Sequence, residues 1–197
     1  MLIENTNSTT VKNAYEWLDN NSNYGSSFHG KSLGTFLQSL RGIDSILDIG
    51  TGRGQFCNWA INNLCSVVYG LDFAIKPDKS YLNNNINFIT GNCNSIPLPD
   101  NAVNITVSFD VLEHIRPEDI EQTIKEMDRV TNKFMLHKIS SSPASAKYAK
   151  QNPHAQEIGN LHLIQQSRSW WMDKFKEYIP NSVIYRLDRC VFVVKNV

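Results

Sequence analysis

The sequence predicts an α/β fold in which short strands alternate with helices. Three observations carry that prediction. Apolar runs of strand length alternate with segments of helical period along much of the chain. One such run, Ile46-Leu47-Asp48-Ile49, enters the glycine-rich corner Gly50-Thr51-Gly52-Arg53-Gly54, and a helical pattern starts at once. Near the C-terminus, Ile184-Tyr185 and Val191–Val194 flank Leu187-Asp188-Arg189 as the arms of a hairpin would.

From the N-terminus, Val11, Ala14, Tyr15 and Leu18 recur at helical spacing behind Thr9 or Thr10 as a cap. The run Asn20–Asn23 breaks that helix, and Leu33, Phe36, Leu37 and Leu40 mark a second. A strand at about 44–49 leads through the glycine corner into a helix burying Phe56, Trp59, Ala60 and Leu64. Val67–Asp72 is the second strand. Residues 73–85 are too short and polar for a full crossover helix, so a degenerate turn is expected there. Ile86–Thr90 and Asn104–Phe109 are the third and fourth strands. Pro117 opens a helix with Ile120, Ile124, Met127 and Val130 on one face, and Phe134–Ile139 is the fifth strand. Residues 140–166 read as a long polar loop, of the kind that is functional or mobile. A capped helix with Trp171, Phe175 and Tyr178 on one face precedes the hairpin.

Composition narrows the function classes. The 197 residues suit one domain, 1–197, and 41% hydrophobic with 19% charged residues is a globular composition. Lys+Arg and Asp+Glu are both 19, so there is no domain-wide basic footprint and nucleic acid is not the expected partner. No apolar run reaches the roughly 20 residues that span a bilayer, and the N-terminus lacks signal-peptide character. Cys57, Cys65, Cys93 and Cys190 form no C-x-x-C pair, which suits free thiols in a reducing compartment; the expected location is cytoplasmic. No metal is expected, because His114, His154 and His162 show no ligand spacing.

The corner carries the chemistry. Glycine admits positive φ and lets a ligand approach the main chain without meeting a Cβ. Neither the dinucleotide fingerprint nor the phosphate loop fits the spacing here, since Gln55 stands after the glycine triplet. With Asp48 the pattern is D-x-G-x-G-x-G, which resembles the first motif of the class I S-adenosylmethionine-dependent methyltransferases. A glycine-rich turn in some other α/β protein is the alternative reading of the motif. Asp72, at the end of the second strand and 24 residues beyond Asp48, stands where a carboxylate accepts hydrogen bonds from a ribose diol. Its plainer reading is a turn cap. Further phrases in the same order strengthen the resemblance: Gly91-Asn92-Cys93-Asn94 running on to Leu98-Pro99-Asp100, and Phe109-Asp110-Val111-Leu112-Glu113-His114.

The resemblance implies a Rossmann-like, doubly wound, seven-stranded, mostly parallel sheet with an antiparallel last strand. It divides the chain into an N-terminal helical cap (1–42), a cofactor-binding core (44–140) and an acceptor-side loop (140–171). The implied cofactor is S-adenosyl-L-methionine. Asp48, Gly50, Thr51, Gly52, Gly54 and Gln55 would form its turn, with Asp72 and Phe73 at the ribose. Asn92, Cys93 and Asn94 would meet the adenine, Asn92 replacing the family's usual acid, and Phe109, Asp110 and Val111 would line the floor. His29 and Lys31, in the polar segment before the first strand, would meet the cofactor carboxylate. The implied reaction is direct displacement, moving a methyl group to a small-molecule or glycan acceptor, with oxygen the expected atom. His114 and His162 are the candidate bases. The Trp170-Trp171 pair looks like that of bacterial enzymes acting on sugars, so Trp170, Trp171 and His154 are candidate acceptor contacts. A cofactor-binding partner subunit without activity, or an enzyme acting on nucleic acid or protein, is the alternative.

Overall fold

The computed structural model describes residues 8–26, 33–82, 85–145 and 150–195. Its strands are β1 (Ser45–Ile49), β2 (Val67–Asp72), β3 (Ile86–Thr90), β4 (Val103–Phe109), β5 (Thr131–Lys138), β6 (Val183–Leu187) and β7 (Cys190–Val194). They form one seven-stranded sheet in the order β3-β2-β1-β4-β5-β7-β6. The pairs β1–β2, β2–β3, β1–β4 and β4–β5 are parallel, while β7 runs antiparallel to both neighbours. The expected hairpin supplies that reversed strand.

Helices cover both faces, so the central strands are buried on each side. On one face Leu47, Ile49 and Met135 pack against α4 (Ile120–Val130) and the last helix, Arg168–Tyr178. On the other, Ile46, Val68 and Val107 meet Phe56, Cys57 and Ala60 of α3 (Gln55–Asn63) and Leu37 of α2 (Gly34–Ser39). The alternation of Ile46 with Leu47 and Ile49 is the period-two pattern of a strand with two apolar faces.

A third, smaller core lies apart from the sheet. Val11, Ala14, Tyr15 and Leu18 of α1 (Ser8–Asn21) pack on Ala155 and Ile158 of a short helix, α5 (Pro153–Ile158), and on Leu161. That helix falls within the stretch expected to be loop. Its start chemistry explains it: Pro153 occupies the first turn, and Asn152 accepts from the N–H groups of His154 (3.1 Å) and Ala155 (3.2 Å). Asn152 is fully buried, and its amide donates to the Ala14 carbonyl at 2.8 Å, tying α5 to α1. The last helix, α6 (Arg168–Tyr178), is capped by Ser167 on the Trp170 N–H.

Among its described residues the crossover after β2 is as degenerate as expected, with one 3₁₀ turn at Lys79–Tyr81 capped by Asp78. Strand β5 begins three residues earlier than the apolar run suggests. The Thr131 hydroxyl, buried between α4 and β4, bonds the Met127 carbonyl (2.6 Å) and the Thr106 hydroxyl, so a polar residue satisfies the strand's start. Among the described residues, no helix is long and apolar enough to cross a membrane.

Candidate functional site

The strand order reverses between β1 and β4, and in open α/β sheets ligands bind beyond the carboxyl ends of strands at such a point. A cavity of about 820 Å³ opens there, within the size range of small-molecule sites. The glycine turn forms its floor. Gly50, Gly52 and Gly54 have φ of 68°, 56° and 90°. At Gly50 an added Cβ would lie 2.4 Å from Val111 Cγ2, and at Gly52 it would lie 2.8 Å from the Gly25 carbonyl oxygen. The turn is closed by β4 on one side and by the 23–26 loop on the other.

Every backbone N–H from Gly50 to Gly54 is already engaged. Gly50 and Thr51 donate to the Leu71 carbonyl (2.8 and 3.1 Å), Arg53 to Gly25 (3.1 Å) and Gly54 to Thr51 (3.0 Å). Gly52 donates to the Asp72 carboxylate at 2.9 Å. No N–H of that stretch remains to cradle a phosphate, in line with the spacing argument. Beneath the turn sits Asp48, 3% exposed, whose carboxyl burial pushes up to about 7 despite hydrogen bonds from Thr51 and Cys57. A positively charged ligand group beside it would favour its ionised form.

Asp72 serves the turn first. Beyond the Gly52 bond on Oδ2, its Oδ1 accepts from Ala74 (3.0 Å) and Ile75 (2.9 Å). Each carboxylate oxygen has two lone pairs, so these bonds fill Oδ1 and leave Oδ2 the free one. Burial raises this carboxyl, with the backbone N–H groups opposing it. Arg53 points away from the cavity and straps the 19–24 segment over it. Its guanidinium pairs with Asp19 (3.0 Å) and donates to the carbonyls of Asp19 (2.9 Å), Ser22 (3.3 Å) and Tyr24 (3.3 Å). The N-terminal segment thus roofs the site, with Tyr15, Asn23, Tyr24 and Gly25 reaching the cavity.

The far wall is built from the carboxyl ends of β4 and β5 and the loops that leave them. Phe109 packs on Phe56 with centroids 4.8 Å apart, and Asp110 is paired with Lys138 at 2.5 Å. His114 and His162 meet edge to face at 4.6 Å. His114 Nδ1 lies 2.8 Å from the Leu161 carbonyl and 2.7 Å from the Tyr15 hydroxyl, and His162 Nδ1 contacts the Ser142 carbonyl. Burial, then the neighbouring His162, hold His114 down to about 4. It is neutral at ordinary pH and a weak proton acceptor there. Behind it Glu113 is 0% exposed and burial lifts its carboxyl to about 7. Ser140–Ser142, Arg168 and Arg189 complete the wall.

The structure brings many of the expected residues to this one cavity. Asp48, Gly50, Thr51, Gly52 and Gln55 line it from β1, the turn after it and the start of α3, and Asp72 and Phe73 from the end of β2. Cys93 lines it after β3; Phe109, Asp110, Val111 and His114 do so after β4, and His162 from the segment before α6. Others lie elsewhere. Gly54 faces Phe88, where a Cβ would come within 2.7 Å of the ring, so it caps α3 rather than meeting a ligand. Asn92 is exposed and absent from the cavity lining, and the Asn94 amide donates to Asp119. His29 and Lys31 lie outside the described residues.

The acceptor-side expectations need correction. Trp171 is 1% exposed and sits in the core with Leu112, Ile164 and Phe175, because α6 lays that face on the sheet. Trp170 stacks edge-on against it at 5.1 Å with Lys174 over its ring, and His154 lies on α5; none of the three lines the cavity. Sequence reasoning passed over Tyr15, Tyr24, Lys138, Arg168 and Arg189. Tyr15 belonged to an apolar helical stripe, and the others carried no motif.

Residues 47–133 match the family described as methyltransferase domain. No curated protein matches significantly. Among solved structures, the chain is similar to Burkholderia thailandensis 1,6-didemethyltoxoflavin-N1-methyltransferase, solved with 1,6-didemethyltoxoflavin and S-adenosylhomocysteine bound. The TM-score is 0.73 at 10% identity, covering 96% of this chain and 89% of that one. It is also similar to magnesium protoporphyrin IX methyltransferase from Synechocystis PCC 6803 with S-adenosylmethionine bound, at TM-score 0.67 and 13% identity over 98% and 100% of the two chains. At such identities the likeness is one of fold.

Proposed function

We propose that the chain is a class I S-adenosylmethionine-dependent methyltransferase, a reading supported by the match of residues 47–133 to the methyltransferase-domain family, and that it methylates an oxygen of a small-molecule or sugar acceptor bearing an anionic group. One observation carries the reading: the cavity has a charge gradient along the sheet edge. Asp48 and Asp72 stand at the ends of β1 and β2, while Arg168 and Arg189 line the opposite end near β7, beside the Lys138–Asp110 pair whose charges cancel. From β2 to β7 is four strand spacings, roughly 19 Å at about 4.8 Å each. A cofactor carrying ammonium and sulfonium charges suits the acidic end. An acceptor with a carboxylate or phosphate suits the basic end, where Arg168 is half-buried and its Nε has no hydrogen-bond partner among the described residues.

In this reading the residues divide their work. The turn and Asp48 hold the amino-acid part of the cofactor, and the free lone pair of Asp72 takes one ribose hydroxyl. Phe109 and Val111 floor the methyl group. The segment 140–145, with Leu161 and His162, borders the acceptor, whose oxygen faces the His114–His162 pair. Methyl transfer from sulfonium needs chiefly alignment of oxygen, carbon and sulfur, and such positioning is worth about 7–11 kcal/mol.

The test has two steps. Saturation with S-adenosylhomocysteine at about 100 times its Kd stabilises the native state by roughly 2.7 kcal/mol, a melting rise of about 5–10 °C for a chain of this size. Labelled methyl transfer is then followed across alcohols, phenols and sugars with and without an acidic group. No melting rise removes the cofactor assignment. Transfer only to nitrogen, or equally to uncharged acceptors, removes the acceptor class.

A further inference from the structure

Glu113, His114 and His162 bring one carboxylate oxygen and two ring nitrogens within 4.8 Å of one another. Both imidazoles are held from behind by main-chain carbonyls, His114 Nδ1 by Leu161 and His162 Nδ1 by Ser142. A carbonyl only accepts, which favours the tautomer with the proton on each Nδ1 and the lone pair on each Nε2; the Tyr15 hydroxyl, 2.7 Å from His114 Nδ1, then accepts from that same N–H. Glu113 is wholly buried; its Oε1 accepts from the Ser140 N–H at 3.0 Å, and its Oε2 has no hydrogen-bond partner among the described residues. A buried carboxylate oxygen without a partner is costly unless something charged meets it.

We infer that Glu113, His114 and His162 form a binding site for a divalent transition-metal ion. Two neutral imidazoles and a carboxylate are a donor set that zinc-like and iron-like ions take, with positions left open for water or substrate. Ligand distances of about 2.0–2.2 Å put two donors on one ion no more than about 4.4 Å apart, so these side chains need to close by only a few tenths of an ångström. The backing carbonyls and the Ser140 N–H are the partners that fix ligating imidazoles and carboxylates in place. His154, the other histidine whose spacing gave no ligand pattern, stands away on α5; the residue next to His114 supplies the third donor instead.

His114 and His162 border the cavity, so a ligand within it reaches the ion's open positions. Resting on the methyltransferase reading, this names the acceptor more closely: an alcohol, phenol or vicinal diol whose oxygen binds the metal. Coordination lowers the hydroxyl's pKa, and its proton passes to solvent. The oxygen–carbon bond then forms as the carbon–sulfur bond breaks, and sulfur keeps the electron pair.

Untagged full-length protein, freed of metal with a chelator, is titrated with cobalt(II) and followed by its visible absorption. The expected result is one cobalt per chain with a ligand-field band. His162→Ala and Glu113→Gln should each weaken binding at least about tenfold, while His154→Ala should leave it unchanged. A cooperative thermal melt by circular dichroism, measured on every variant, confirms that each is folded, and S-adenosylhomocysteine binding is measured separately. Absence of the band in the wild type, or equal cobalt binding by all variants, overturns the site. Cobalt binding without any S-adenosylhomocysteine binding would leave the site standing and sink the methyltransferase reading, so the two failures are separable.

Discussion

Gly52→Ala tests how the floor of the site is made. Alanine at φ 56° adopts the left-handed region at a cost of roughly 1–2 kcal/mol. Its Cβ would sit 2.8 Å from the Gly25 carbonyl oxygen and 3.1 Å from Gly25 Cα, and these are main-chain atoms that no rotamer change moves. The 23–26 loop must therefore withdraw by several tenths of an ångström. Withdrawal strains the bond from Arg53 N–H to that same carbonyl, 3.1 Å in the native fold and worth about 1 kcal/mol. Together these sum to about 2–3 kcal/mol, a melting fall of roughly 4–12 °C. Calorimetric titration with S-adenosylhomocysteine should show a loss beyond the stability change, because the loop that moves also lines the cavity. A variant that melts within a degree of the wild type and binds the ligand equally would refute the argument that Gly25 and Gly52 are in forced contact.

Three further outcomes are expected elsewhere in the molecule. Asp48 has its carboxyl raised to about 7 in the fold against 3.8 when free, so its contribution is unfavourable and develops as pH climbs from about 4 to 7, remaining in full above. Asp48→Asn should hence melt higher at pH 8, gain nothing at pH 4, and bind S-adenosylmethionine more weakly; equal gains at both pH values would contradict the assignment. Trp171→Ala should cost about 3–5 kcal/mol in denaturant unfolding, and Trp170→Ala much less, with neither altering acceptor KM; a KM effect in a folded Trp170 variant would restore its acceptor role. Arg168→Ala should raise the acceptor KM roughly 10–100-fold, the worth of a charge-assisted hydrogen bond of about 1.5–3 kcal/mol, with cofactor affinity unchanged. An unaltered KM would remove the anionic-acceptor reading.

Local signals made the sheet legible. Each parallel strand is a short apolar run ended by a turn, and the glycine corner stands out because positive φ leaves few other residues. Even the weak crossover at 73–85 was readable, since it has too little chain for a helix. The roof was not. Asn152 and Pro153 look like loop residues until Ala14, from the far end of the sequence, supplies the carbonyl that makes burial of Asn152 tolerable. The tryptophan pair misled for a similar reason: aromatic rings serve a sugar face or a core equally, and only the packing of α6 decides. Glu113 lay inside a phrase already read as cofactor-proximal, and nothing in its neighbourhood signals that His162 will fold back beside it.

The bond joining Ala14 to Asn152 spans 138 positions. Helix α1 therefore gains its α5 partner only once Asn152 is in the chain, after the strands β1 to β5 beneath the ligand chamber. Pulse-labelled amide exchange during refolding should find α1 protected after β1 and β4; early protection of α1 would show that the cover forms by itself.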